Sequence, residues 1–350
     1  MLKPKTSSRR RFGRLIAMAA AIPFTLAAGT SQAVAAPVEI KLQSAWQSGT
    51  EVYKIVERFA ADVSAASGGR VSMTLHPAGA IVAHTETLEA VGNGILGGQQ
   101  TAAVYFSGRD AAFGLLGDMV ASYATPHQLT EWFYQRGGLQ LARELYAKHG
   151  VHYVGPILYS IESVPVKRKV TNVADMKGLK IRAPEGPVSE LFRSLGAAPV
   201  NIPGSDVYAA LERGVIDATD WGTLSMNVDL GYNKITKYQM YPGFHSMPEV
   251  GIGINMATWK KLPADVQKII EMGVRSVNAE MIERTHLSDM AAEAKIRQAG
   301  GELVNWSDEE RMKVRSVARG IWEKAGKTNP IAKKIYESKV AHLQEIGLLK

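Results

Sequence analysis

The residues with the clearest chemical capacity lie between Gly178 and Trp221. Arg182 stands at the end of a short apolar run, and Asp220-Trp221 closes the segment. The planar fork of a guanidinium holds a carboxylate through two parallel hydrogen bonds, which a lysine ammonium cannot do. An arginine so placed can grip a small organic anion, or it can be an interlobe or surface salt-bridge residue. Asp220 and Trp221 directly follow an apolar stretch, so in extended backbone their side chains leave on opposite faces. An acid beside a bound anion is repulsive unless a cation lies between them, and hard cations take oxygen ligands. The alternative for this pair is an acid bonded to an arginine and a tryptophan that packs.

Enzyme-like patterns fare poorly. Gly92-Asn93-Gly94-Ile95-Leu96-Gly97 matches G-x-G-x-x-G literally, but it ends a helical pattern where a dinucleotide fingerprint joins a strand to a helix. No phosphate loop, H-E-x-x-H or G-x-S-x-G occurs. His149 and His152 do not share a helical face, because the pattern stops at Gly150. The sequence offers no convincing pair of titratable groups for acid–base work, so an enzyme is not the expectation.

The elements that must position these residues alternate short apolar runs with helical periodicity, which predicts an α/β fold. Strands are expected at 38–46, 71–75, 101–106, 152–158 and 180–183. Helices are expected at 50–66, 85–91, 126–149, 187–195 and 205–213, with a glycine- and aromatic-rich loop from 107 to about 125. Pro263–Ala299 is the longest helical pattern, either one helix or two broken near Gly273. The region from Ser307 to Leu349 is also helical, and it either wraps one monomer or swaps into a homodimer.

Residues 1–36 read as a secretory signal. Lys3, Lys5, Arg9, Arg10, Arg11 and Arg14 precede the apolar run Leu15–Ala28, and small residues follow. That run is too short to span a bilayer, and Ser8-Arg9-Arg10-Arg11-Phe12 fits a twin-arginine core. Export to the periplasm is the expectation. The formal charge is +8; without the six leader positives it is +2, so the basicity does not suggest a nucleic-acid partner. The chain has no cysteine, which excludes disulfides, thiolate metal sites and cysteine nucleophiles.

The order Lys177-Gly-Leu-Lys-Ile-Arg-Ala-Pro184, then Val207-Tyr-Ala-Ala-Leu-Glu-Arg-Gly-Val-Ile-Asp-Ala-Thr-Asp-Trp221, resembles the middle of a TRAP-transporter solute-binding protein of the DctP-like family. With Tyr241-Pro-Gly-Phe-His245, the pattern is closest to members that bind 2-oxo or 2-hydroxy monocarboxylates. The resemblance runs from about Val38 to the C-terminus. It implies a two-lobed α/β fold of the periplasmic-binding-protein type II kind, braced by one long helix. The implied lobes are 37–163 with 244–350, and 164–243, closing about crossing segments. It further implies a small carboxylate ligand and a TRAP membrane permease as partners.

Residue by residue, the resemblance makes Arg182 the ligand-carboxylate anchor. Asp220 and the carbonyl of Trp221 become holders of a sodium or calcium ion that also touches the ligand, with no other cofactor required. The relatives carry a glutamine and a tryptophan before the second lobe, where this chain reads Tyr159-Ser-Ile-Glu-Ser-Val-Pro165. Either Glu162 replaces the missing oxygen ligand or the cation is gone. Asn201, Tyr208 and Asn227 lie in matched stretches and are hydrogen-bond donors to a ligand or structural residues. Trp46, Tyr105 and Phe106 are expected at strand ends facing the cleft, to desolvate the ligand. Phe244 and His245 are expected where the chain re-crosses, lining the cleft or packing the hinge.

Overall fold

A computed structural model describes residues 36–349. The expected leader lies outside the described residues except for Ala36. Two sheets carry the architecture. The first has the order Val71–His76, Val38–Ser44, Gly98–Ala102, Val250–Asn255, Val151–Gly155. Its first three strands are parallel and Val250–Asn255 runs antiparallel to both neighbours. The second sheet has the order Glu302–Val304, Tyr238–Met240, Val164–Val166, Ala218–Thr219, Lys180–Arg182, Ala198–Val200. Each sheet with its helices makes one lobe. Glu302–Val304, which the expected division assigns to the first lobe, pairs in parallel with Tyr238–Met240 at the edge of the second sheet.

The helix Glu51–Ala66 starts where Thr50 Oγ1 accepts from the backbone N–H of Tyr53, and it buries Val52, Ile55, Val56, Phe59 and Val63 on one face. Against that face lies the long helix, Ala264–Gln298, unbroken over 35 residues. At a rise of ~1.5 Å per residue it spans ~52 Å. It touches the Glu51–Ala66 helix and the Val151–Gly155 strand on one side of the molecule, and Leu224–Asp229 and Glu302–Val304 on the other. Gly273 does not break it. A Cβ there would lie 2.8 Å from Phe59 Cε2, so glycine serves close packing between the two helices.

Three expected elements differ. The strand placed at 101–106 is Gly98–Ala102, followed by a 3-10 turn, Ala103–Phe106. The expected loop after it contains the helix Ala111–Gly117, capped by Asp110 accepting from the N–H of Ala112. The helical run 126–149 is two helices, Pro126–Gln135 and Gly138–Ala147. Gly137 turns left-handed at φ +82, and a Cβ at Gly138 would sit 2.5 Å from the Trp132 ring. Among the described residues, no helix is long and apolar enough to cross a membrane.

Candidate functional site

Lys180–Arg182 runs between Ala198–Val200 and Ala218–Thr219, parallel to both. Because the strand ends at Arg182, the guanidinium emerges at the C-terminal end of these strands, where the segments following the two neighbouring strands supply carbonyls. Its Nε donates to Ile202 O at 3.0 Å and its Nη1 donates to Asp220 O at 2.6 Å. Those two bonds lock the plane of the fork and leave Nη2 without a protein partner among the described residues. Arg182 is only 8% exposed, and its exposed part lines a cleft of about 490 Å³.

Three buried acids stand at or behind that cleft. Asp220 extends the strand beyond Thr219, with its N–H on Arg182 O at 2.9 Å. Its Oδ1 meets His245 Nε2 at 2.7 Å. Glu162 is fixed by its own N–H on Ser246 O at 2.9 Å, and Tyr159 OH donates to its Oε1 at 2.9 Å. Asp118 accepts from Ser246 Oγ at 2.6 Å. Burial pushes Asp118 and Asp220 each up to about 6; Ser246 opposes the first shift, and Glu162 and Arg182 oppose the second. Glu162 is raised well above the ordinary carboxylate range, by burial first and by Asp220 second. His245 is pushed down by burial, against the pull of Glu162 and Asp118. Three acids against one arginine leave a deficit of positive charge, which protons or a cation must make up. Glu162, Asp220 and His245 offer ligand atoms all within 4.8 Å of one another. Two carboxylates are a suitable donor set for a hard cation.

The model of the bacterial extracellular solute-binding protein family 7, DctP, matches residues 42–329. The chain belongs to that family. A TRAP periplasmic solute-binding protein of Rhodobacter sphaeroides, solved in an apo open form, is 36% identical, covering 89% of this chain and 99% of that one, with a TM-score of 0.75. A TRAP solute-binding protein of Bordetella bronchiseptica, a mixed-occupancy dimer with copurified calcium and picolinate in one site, is 24% identical over 89% of this chain and 93% of its own, with a TM-score of 0.82. A monocarboxylate 2-oxoacid-binding periplasmic protein of Nostoc is 26% identical over 88% of this chain and 85% of its own. As a DctP-family protein the chain is a solute receptor and not an enzyme.

Within this solute-binding protein, Arg182, Asp220, Trp221, Glu162, Trp46 and Tyr105 all line the one cleft, as does Tyr208. Trp46 meets Tyr159 edge-on at 6.0 Å between ring centres. The other expected positions differ. Phe106 is wholly buried against Phe113 at 5.4 Å, because the 3-10 turn aims Tyr105 at the cleft and Phe106 into the core. Phe244 stacks on Trp306 at 4.2 Å, and Arg311 clamps the same segment through Pro242 O and Gly243 O. Phe244 is therefore packed away from the cleft. His245 has no exposed surface and touches the site through Asp220. Asn201 donates to Glu185 Oε1 at 3.0 Å and lines a neighbouring chamber. Asn227 stitches Ser163 to Gly222 and is structural.

Sequence reasoning passed over Asp118, Tyr159, His84 and Tyr232, all of which line the cleft. Tyr159 lies in the segment already singled out for departing from the relatives' pattern, so its signal was available. Asp118 follows Gly117 in a stretch read as loop, and nothing local marks it.

Proposed function

We propose that this protein captures a small organic monocarboxylate, a 2-oxo or 2-hydroxy acid, in the periplasm and delivers it to a TRAP membrane permease. The observation that carries this reading is a guanidinium pinned by two backbone carbonyls beside three buried acids. The ligand carboxylate takes the free Nη2 edge of Arg182. Its 2-substituent turns toward Asp220 and Glu162, where a sodium or calcium ion offsets the charge of the acids and shares an oxygen with the ligand. Trp46, Tyr105, Tyr159 and Trp221 exclude water. The lobes, 37–163 with most of 244–350, and 164–243 with the strand Glu302–Val304, close because the ligand contacts both, which is preferential binding to the closed state. The Nostoc relative, a monocarboxylate 2-oxoacid-binding protein, and the Bordetella one, with copurified calcium and picolinate, support the reading.

Thermal unfolding of the exported protein against a panel of small carboxylates, with and without chelator, tests it. Ligand at a thousand times its dissociation constant adds ~4 kcal/mol of stability, a visible rise in melting temperature. A rise with 2-oxo or 2-hydroxy acids is the expected result; its loss with chelator identifies the ion as calcium, and its loss only when sodium is left out of the buffer identifies it as sodium. No rise with any monocarboxylate would remove the assignment.

A further inference from the structure

Beyond Arg182 lies a second chamber of about 500 Å³, which shares His84, Tyr105, Arg182, Pro184 and Pro203 with the ligand cleft. Its far wall is the end of the helix Asp308–Gly326, through Ile321 and Ala325, and its lining is mainly apolar. Each of the two spaces alone falls in the range of a small-molecule site. A three-carbon acid anchored at Arg182 fills neither, and leaves the second apolar chamber to water.

Charge separates the two spaces. The three acids at the cleft, Asp118, Glu162 and Asp220, are buried. The chamber's acids are at its rim and already engaged: Glu190 pairs with Lys324 at 2.9 Å, and Glu185 accepts from Asn201 at 3.0 Å. A ligand held at Arg182 therefore has its polar 2-position drawn to the acid side and its apolar substituent to the other. The neck between them is formed by flat, rigid groups: His84 and Tyr105 packed edge-on at 4.7 Å, facing Pro184 and Pro203. Rings and prolines present broad apolar faces to an aromatic group.

We propose that this chamber is a tail subsite, and that the ligand is a 2-oxo or 2-hydroxy acid bearing an apolar substituent of at least phenyl size. The inference rests on the carboxylate-receptor reading above and adds the substituent. Arg182 fixes the acid end, the His84–Tyr105 neck passes the tail, and Ile321 and Ala325 receive it.

The test is calorimetric titration of the exported protein with pyruvate and with phenylpyruvate. Burying a phenyl group supplies about tenfold to a hundredfold in affinity, so phenylpyruvate is expected to bind tighter than pyruvate by that factor. Ala325→Phe fills the chamber and should remove most of that advantage while leaving pyruvate within about threefold. Thr328→Trp, at the exposed rim, serves the same purpose if Ala325→Phe does not fold. Equal affinity for the two acids in the unsubstituted protein overturns the tail subsite and leaves the receptor reading standing. So does an equal loss for both acids in the filled variant. Binding of neither acid, with or without calcium, overturns both readings.

Discussion

Replacing Arg182 with alanine separates the anchor's two duties, holding the cleft and holding the ligand. In the free protein the guanidinium satisfies Ile202 O and Asp220 O. Each buried acceptor left without its donor costs about 1–3 kcal/mol, so the variant should lose roughly 2–6 kcal/mol of stability. Removing the Arg182 charge from the cleft also leaves the mutual repulsion of Asp118, Glu162 and Asp220 less compensated. Toward the ligand, loss of a charge-assisted carboxylate contact is worth about 2–4 kcal/mol, which weakens binding by roughly thirty- to a thousandfold. Arg182→Lys keeps the charge but cannot span both carbonyls and a ligand with one ammonium, so most of the binding loss should remain. Calorimetric titration reads the affinity and thermal unfolding of the free protein reads the stability. Binding by Arg182→Ala within about threefold of the unsubstituted protein would refute the assignment of the anchor.

Other outcomes follow from the same contacts. Asp118 and Asp220 bind their proton near pH 6 when folded, against an ordinary value of 3.8, so the folded state holds protons more tightly than the unfolded one. The ligand-free protein should therefore gain stability as pH falls from about 7 toward 4, by up to ~3 kcal/mol for one such group. Melting temperatures that rise with pH across that window would contradict this, and Glu162→Gln should flatten the slope. Gly273→Ala should lose about 1–2 kcal/mol in denaturant unfolding, because the clash with Phe59 outweighs the gain in helix propensity; a stabilised variant would show that the two helices part freely. Asn227→Ala removes a donor that reaches Ser163 O, Ser163 Oγ and Gly222 O. It should lower the melting temperature by the loss of about 1–3 kcal/mol and weaken ligand binding several-fold, because Gly222 adjoins Trp221. Unchanged affinity would show that this stitch does not position the site.

Much of this protein was legible along the chain because the relevant interactions are local. Helical periodicity placed the Glu51–Ala66 helix and marked the stretch 263–299 as helical, but left open the break near Gly273 that the packing against Phe59 removes. The Lys177–Pro184 and Val207–Trp221 motifs, through their resemblance to the DctP-like family, pointed to Arg182 and Asp220-Trp221, which the fold sets along one cleft. Tertiary structure decided the rest. Tyr105 and Phe106 are adjacent and chemically alike, and only the 3-10 turn after Ala102 sends one to the ligand cleft and the other into the core. Phe244 packs away from the cleft because Trp306, some sixty residues on, supplies its stacking face. Asp118, Glu162 and Asp220 are separated by at least forty residues along the chain, and an acid's proton affinity depends on what the fold brings beside it and on how much water the fold removes. The cluster of acids around one arginine, and the second chamber beyond it, exist only once both sheets are in place.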